Sequence, residues 1–287
     1  MPIGPHHTQI GSHTPTGWWL EEAGEPAPSP PLEGSITADV VVIGGGYTGM
    51  WTAWELLERG ASVALLEAGI CGHGPSGRNG GFCESLWLSA AALRERFGDG
   101  PARALLDASS DAVLRVGAFC ADEGVDAWFN QAGYMCVSTA PAFDDVGRAS
   151  VEAAAALGAP ERIFELSPGD VQARCASPRF RGGVCVPDFA TLQPARLALG
   201  LRRRLIERGV RIYERTPMHR LRKGLRVETP GGEVSAGSAV LAIGPAARGQ
   251  RGLRTRLSVT SSHIVLTEPV PDVIEQLGWD GECITDG

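Results

Sequence analysis

The sequence predicts an α/β fold in which a parallel sheet is begun, interrupted by an α+β block and then resumed. Three observations predict it. Residues 40–43 are four consecutive β-branched residues, the pattern of a strand buried on both faces. They run into Gly44, Gly45, Gly46 and then Gly49, after which Met50, Trp51, Ala53, Trp54, Leu56 and Leu57 recur at helical spacing. Far downstream, residues 239–243 form a second apolar run stopped by a glycine, Gly244.

Length and composition set the outer bounds. The chain has 287 residues, 43% hydrophobic and 21% charged, enough for one large domain or two ordinary ones. A net charge of −7 argues against nucleic acid as a partner. There is no apolar run of about twenty residues, so no membrane span is expected. Seven scattered cysteines without a C-x-x-C pair read as reduced core thiols of a cytoplasmic protein, with neither metal site nor disulfide frame.

Residues 1–34 read as an N-terminal arm, with Trp18 and Trp19 docking on the body and a proline-rich connector over 24–34. Strand, turn and helix then follow in the order of a Rossmann-like unit. Gly44 permits the tight turn and Gly46 lets a pyrophosphate approach the backbone. Gly49 lets the helix pack against the strand, and the helix N-terminus offers free N–H groups to the anion. The alternative is a βαβ unit that holds no nucleotide. A second strand over 62–66 ends in Glu67, placed to accept hydrogen bonds from an adenosine ribose. The loop over 68–82 is rich in glycine, and its Ser76, Arg78 and Asn79 supply donors beside Gly80 and Gly81.

Residues 88–124 read as helical, with Leu105, Leu106, Ala112, Val113, Val116, Phe119 and Cys120 on one stripe. A strand is expected over 128–138, a helix over 142–157 and a strand over 162–166. Ser167 opens a short helix, and 182–186 is a strand. Pro194 begins a helix that stops at Gly209, with Arg202, Arg203 and Arg204 on a solvated face. Strands are expected over 210–213, 220–229, 233–242 and 258–267, with a hairpin turn at Pro230-Gly231-Gly232. No closing element is expected after that.

Several of these segments together resemble one family. Trp18-Trp19-Leu20, the turn at 39–57, Leu66-Glu67-Ala68 and Gly77-Arg78-Asn79-Gly80-Gly81 resemble the D-amino-acid-oxidase (DAO) superfamily of FAD-dependent oxidoreductases. Leu192-Gln193-Pro194, residues 209–214 and Leu241-Ala242-Ile243-Gly244 fit the same pattern, and the likeness is strongest with the glycine, sarcosine and gamma-glutamylputrescine oxidase branch. The resemblance implies an FAD-binding domain of the glutathione-reductase type over 35–90 and 190–252. It implies a substrate domain over 91–189 and 253–287. Gly44, Gly45, Gly46, Tyr47, Thr48 and Gly49 would hold the pyrophosphate, and Glu67 with Ala68 the adenosine side. Ser76, Arg78, Asn79, Gly80 and Gly81 would lie along the ribityl chain and ring, Met218 at adenine, and Ala242, Ile243 and Gly244 near the cofactor again.

The implied chemistry is oxidation of an amine or amino acid at its C–N bond. Hydride passes to flavin N5, the imine hydrolyses, and O2 reoxidises the flavin with release of H2O2. No catalytic side chain and no metal is assigned, and FAD is expected to be non-covalent although Cys71 and His73 lie near. The alternatives are a flavin dehydrogenase with another electron acceptor, a nicotinamide-dependent enzyme, and a shortened chain without catalysis. The chain is shorter than the family's members, so a later glycine-rich flavin contact and a closing parallel strand are expected to be missing. Substrate identity and oligomeric state stay open.

Overall fold

The computed structural model describes residues 17–250 and 252–287. The part of the arm over 1–16 lies outside the described residues. The first helix, α1 (Trp18–Ala23), buries Leu20, and the connector after it is extended until Leu32, which is also buried. The first sheet uses β1 (Gly34–Ile43), β2 (Val63–Leu66), β8 (Arg211–Tyr213), β9 (Arg220–Arg222), β10 (Arg226–Glu228) and β11 (Gly232–Leu241), in the order β8-β2-β1-β11-β10-β9. The pairs β8·β2, β2·β1 and β1·β11 are parallel, and β11·β10 and β10·β9 are antiparallel. The returning apolar run therefore lies directly beside the first one, with Val42 opposite Val240 and Ile43 opposite Leu241.

Helix α2 (Tyr47–Glu58) crosses from β1 to β2 and buries Gly49, Met50 and Ala53 on the sheet. Helix α7 (Pro194–Glu207) packs beside it through Leu197, Ala198, Leu201 and Leu205. The opposite face of the sheet is closed by Leu32, Val227 and Val234 against Val41, Ile43, Ala64 and Leu66.

The block between 82 and 191 holds β3 (Phe82–Glu84), α3 (Ala90–Phe97), α4 (Asp99–Asp122), β4 (Tyr134–Val137), α5 (Arg148–Ala156), β5 (Phe164–Leu166), α6 (Pro168–Arg174), β6 (Gly183–Val186) and β7 (Phe189–Thr191). The C-terminal region adds α8 (Pro271–Leu277) and β12 (Cys283–Asp286). A second sheet has the order β12-β4-β6-β5, and β3 pairs with β7 in a small antiparallel ribbon. One face of the second sheet packs on Trp87, Ala90, Leu106 and Ile163, the other on Val171, Cys175 and Leu277. Cys120 and Cys185 are buried free thiols, as are Cys71, Cys136, Cys175 and Cys283, while Cys83 is free and half-buried.

Several expected elements change. The helical run at 88–124 is two helices, because Gly98 sits at φ 78°, and Leu105 faces solvent. The strand expected over 128–138 shrinks to β4, since Trp128 (φ 52°) and Gly133 (φ 91°) break the extended path. The helix at 142–157 begins only at Arg148. Gly147 before it is left-handed, and a Cβ there would lie 2.5 Å from Val184 Cγ2. Residues 220–229 fold as the two strands β9 and β10 around left-handed Gly224 and Leu225. Residues 258–267 form no strand. Their backbone has no ladder partner among the described residues, and Val265 is 90% exposed, so β-propensity alone does not order them. The end of the chain does supply an element, because β12 runs parallel to β4 with Cys283 opposite Tyr134. Arg202 is not on a solvated face but is buried beneath α7.

Candidate functional site

A cleft of about 450 Å³ opens at the C-terminal ends of β1, β2 and β11. That edge is where ligands sit in open parallel sheets. Twelve residues singled out in the sequence line it: Gly44, Gly45, Gly46, Tyr47, Thr48, Glu67, Ala68, Ser76, Met218, Ala242, Ile243 and Gly244. Gly49 lies beneath it in α2, and Arg78, Asn79, Gly80 and Gly81 stand outside its lining.

The glycine turn is built by three different constraints. Gly44 has φ 109°, and a Cβ there would lie 2.3 Å from Ala242 O, so this glycine lets β11 close beside the turn. At Gly49 a Cβ would lie 1.9 Å from Gly44 O, which brings α2 down onto the strand end. At Gly45 a Cβ would lie 2.3 Å from Cys71 Sγ, a neighbour supplied by the loop after β2. Gly46 differs. Its backbone is ordinary extended chain (φ −81°), and a Cβ would meet only Ser76 Oγ at 3.0 Å. The space it leaves belongs to the cleft.

That space faces hydrogen-bond donors. Gly46 caps α2, and among the described residues the N–H groups of Gly46 and Thr48 have no hydrogen-bond partner. The Tyr47 N–H donates to Ser76 Oγ at 2.9 Å, which fixes the hydroxyl at the helix start. Unpaired N–H groups at the positive end of a helix attract an anion. Among the described residues no lysine or arginine lines the cleft, so backbone N–H groups and hydroxyls such as that of Ser76 make up its anion-facing surface.

Glu67 is tied on both oxygens. It accepts from the Gly45 N–H and from the Gly69 N–H, each at 2.7 Å. Its own backbone joins β8, with the Glu67 N–H on Tyr213 O at 2.9 Å and Thr216 N–H on Glu67 O at 2.8 Å. Glu67 therefore ties the glycine turn through its carboxylate and the 216–218 wall through its main-chain carbonyl. Asn79 braces its own loop, donating to Ser76 O at 2.8 Å and accepting from Gly81 N–H at 2.8 Å. Arg78 is exposed and forms no ion pair among the described residues. Replacing Ser76 with alanine removes from the cleft the hydroxyl that can donate to an anion, and with it the bond that ties the loop to the Tyr47 N–H. We expect about tenfold weaker binding of a pyrophosphate ligand, read by titration, with the fold retained.

The lining is completed by Ile43 and Leu66 at the strand ends, by Ile70, Gly72, Gly74 and Pro75 of the glycine-rich loop, and by Thr216, Pro217, Pro245, Ala246 and Gln250, none of which the sequence singled out as a site residue. Pro75 and Pro217 adjoin named residues and were within reach of the same argument. Gly72 belongs to the glycine-rich loop over 68–82, whereas Gln250 carries no local signal.

The residues present fit a dinucleotide. The cradle at Gly46 would be filled by any side chain, an acid follows β2, and the walls formed by Ile43, Leu66, Ile70 and Met218 are apolar. Comparison with known proteins agrees. The structure is similar to glycine oxidase from Geobacillus kaustophilus (TM-score 0.62, 23% identity, 77% of this chain and 59% of that one). It is also similar to an L-amino acid deaminase from Proteus vulgaris (TM-score 0.64, 20% identity, 79% of this chain and 59% of that one). In sequence the chain is 30% identical to "Probable oxidoreductase OrdL" of Rhizobium meliloti over 230 residues, 78% of this chain and 53% of that protein. It is 27% identical to the gamma-glutamylputrescine oxidoreductase of Escherichia coli over 284 residues, 96% of this chain and 65% of that protein. The chain thus spans about half to two thirds of the length of these curated relatives. The profile of the family described as FAD dependent oxidoreductase (DAO) matches residues 39–286, from within β1 to the end of β12, and the chain belongs to that family.

Proposed function

We propose that the cleft binds FAD without a covalent bond and that the chain serves oxidation of an amine or amino acid at its C–N bond. The observation that carries the first part is the glycine turn, with unpaired N–H groups at Gly46 and Thr48 facing a cleft that also holds Glu67 and Met218. In this reading the pyrophosphate lies on Gly44, Gly45, Gly46, Tyr47, Thr48 and the Ser76 hydroxyl. Glu67 and Ala68 take the ribose, exchanging the Gly45 contact for a ligand hydroxyl. The Met218 backbone stands at adenine. Ala242, Ile243 and Gly244 form the wall supplied by the strand neighbouring β1. Arg78, Asn79, Gly80 and Gly81 extend the site towards the ring, with Arg78 as its available positive charge and Asn79 holding the loop in shape.

The flavin supplies hydride acceptance, and the protein supplies placement and electrostatics. Cys71 does not suit covalent attachment. It is fully buried, and burial followed by the nearby Glu214 and Glu67 charges pushes its thiol well above the usual range, so the thiolate is scarce. We further propose that residues 35–90 and 190–252 form the cofactor domain, and that 91–189 with 253–287 form the substrate side.

Amine or amino-acid substrates are proposed from the relatives, among them the gamma-glutamylputrescine oxidoreductase and the glycine oxidase. The test is direct. The purified chain should be yellow, and acid precipitation should leave FAD in the supernatant. A colourless chain that does not quench added FAD would overturn the cofactor assignment. A panel of amines and amino acids should then release peroxide. Turnover with an artificial electron acceptor but without oxygen uptake would make it a dehydrogenase instead.

A further inference from the structure

One buried ion pair stands next to the cleft without lining it. Glu214 follows β8 and is fully buried, and Arg202 on α7 is 6% exposed. The two meet in a bidentate fork, Arg202 Nε to Glu214 Oε1 at 2.7 Å and Nη2 to Oε2 at 2.7 Å. Each carboxylate oxygen takes one further donor. Oε1 accepts the Cys71 N–H at 2.8 Å and Oε2 accepts the Ser29 N–H at 2.6 Å. Arg202 Nη2 also donates to Ala27 O at 2.9 Å.

These partners belong to three separate segments. Cys71 sits between the cleft-lining Ile70 and Gly72. Its thiol fills the space over Gly45, and the Gly72 N–H donates to Gly45 O at 2.8 Å. Glu214 itself lies two residues before the cleft-lining Thr216, whose hydroxyl donates to Glu214 O at 2.9 Å and accepts the Leu32 N–H at 3.1 Å. One residue therefore joins three segments: the Glu214 carboxylate holds the 70–72 wall and the N-terminal connector, its main-chain carbonyl holds Thr216 at the start of the 216–218 wall, and the guanidinium anchors the carboxylate to α7. A buried fork with every lone pair used has a definite geometry and does not drift.

We infer that the Arg202–Glu214 pair is a positioning device for the cofactor cleft, holding residues 70–72 against the glycine turn so that Gly45 keeps the geometry an incoming pyrophosphate needs. This rests on the FAD reading above for its ligand, but not for the loop it positions. Arg202 and Glu214 touch neither cleft nor cofactor. Their effect runs through Cys71 and Gly72 to Gly45.

The experiment compares four proteins: the parent chain, Arg202→Met/Glu214→Met, Glu214→Gln, and Met135→Ala as a control. Met135 is fully buried in the second sheet and supplies destabilisation without contact to the cleft. Three quantities are read: FAD affinity by fluorescence titration, the thermal midpoint, and amide exchange at Gly45 and Gly72, neither of which touches Glu214. The double variant should bind FAD at least about tenfold more weakly and exchange faster at both amides. Met135→Ala, at an equal or larger loss of thermal midpoint, should keep both near the parent values. Equal FAD affinity and unchanged exchange in the double variant would overturn the inference. So would the same loss in the control. Should the double variant not fold, Glu214→Gln keeps the volume and decides by the same comparison. If the parent binds no FAD, the function proposed above fails, and the exchange at Gly45 and Gly72 still decides this one.

Discussion

Gly49→Ala is expected to abolish cofactor binding and to cost about 3 kcal/mol or more of folding stability, read by urea denaturation and FAD titration. The added Cβ would lie 1.9 Å from Gly44 O and 3.3 Å from Val42 Cγ1. Backbone and a buried strand residue stand on the far side, so no flexible side chain can yield. The helix would have to lift from β1, and the N–H groups at its start would leave the cleft with it. Gly44→Ala should behave alike, because it combines a left-handed φ of 109° with a Cβ 2.3 Å from Ala242 O. Gly100→Ala is the control. It lies within α4, has nothing within 4 Å, and should leave stability unchanged or slightly raised. If Gly49→Ala bound FAD as the parent does, the close approach of α2 to β1 would not be what forms the anion cradle.

The contrast between Gly46 and its neighbours shows how the turn divides its work. Gly44, Gly45 and Gly49 are needed by contacts inside the protein, namely Ala242 O, the Cys71 thiol and Gly44 O. Gly46 faces the cleft and is needed by none of them. A substitution there would act on the ligand first, whereas at the other three it acts on the fold first. Loss of binding at each position thus has a different physical origin, and a stability measurement separates them.

The centre of the site was legible in the sequence because its signals are local. Four apolar residues, three glycines and an amphipathic stripe lie within one short stretch, and each dictates its own backbone. The same holds for Ser167, whose hydroxyl and Asp170 form the reciprocal cap at the start of α6. What was not legible depends on distant partners. Gly45 owes its identity to the Cys71 thiol, and nothing near Gly45 announces it. Arg202 read as one of three solvated arginines on α7, since helical spacing cannot tell which of them has a carboxylate waiting beneath it. Arg203 and Arg204 do pair at the surface, with Glu207 and Glu123. The strand expected over 258–267 failed for the converse reason: its β-branched residues favour an extended chain, but a strand exists only when another strand bonds to it.

Arg202→Met is expected to cost about 3–5 kcal/mol at neutral pH, because it leaves the Glu214 carboxylate buried without its counter-charge. The pH dependence gives the sharper test. In the parent chain, burial pushes the Glu214 carboxyl up. The Arg202 hydrogen bonds, the Cys71 and Ser29 N–H groups and the Arg202 charge outweigh that and hold it below its ordinary value of 4.5. A carboxyl depressed in the folded state contributes stability that is fully present above about 4.5 and is lost as pH falls through the folded value. In Arg202→Met the opposing contributions shrink and burial dominates, so the folded carboxyl rises above the unfolded one. The penalty of the variant is then greatest at neutral pH and is relieved as protonation neutralises the buried group. The other titratable groups that feel Glu214 are the thiol of Cys71 and the imidazole of His73, which burial first of all pushes down; both also feel the Arg202 charge, so a variant that removes Arg202 and Glu214 together is the reference for their share. The gap in thermal midpoint between parent and variant should therefore narrow steadily from pH 7.5 to pH 5, on the order of the shift that linkage allows. A gap that stays constant over that range would mean that Glu214 is neutral in the variant already at neutral pH or that water reaches it. Arg202→Met/Glu214→Gln should remove most of the pH dependence of the gap, since no carboxyl is left at that position to titrate and the opposite effects of the two charges on His73 are lost together.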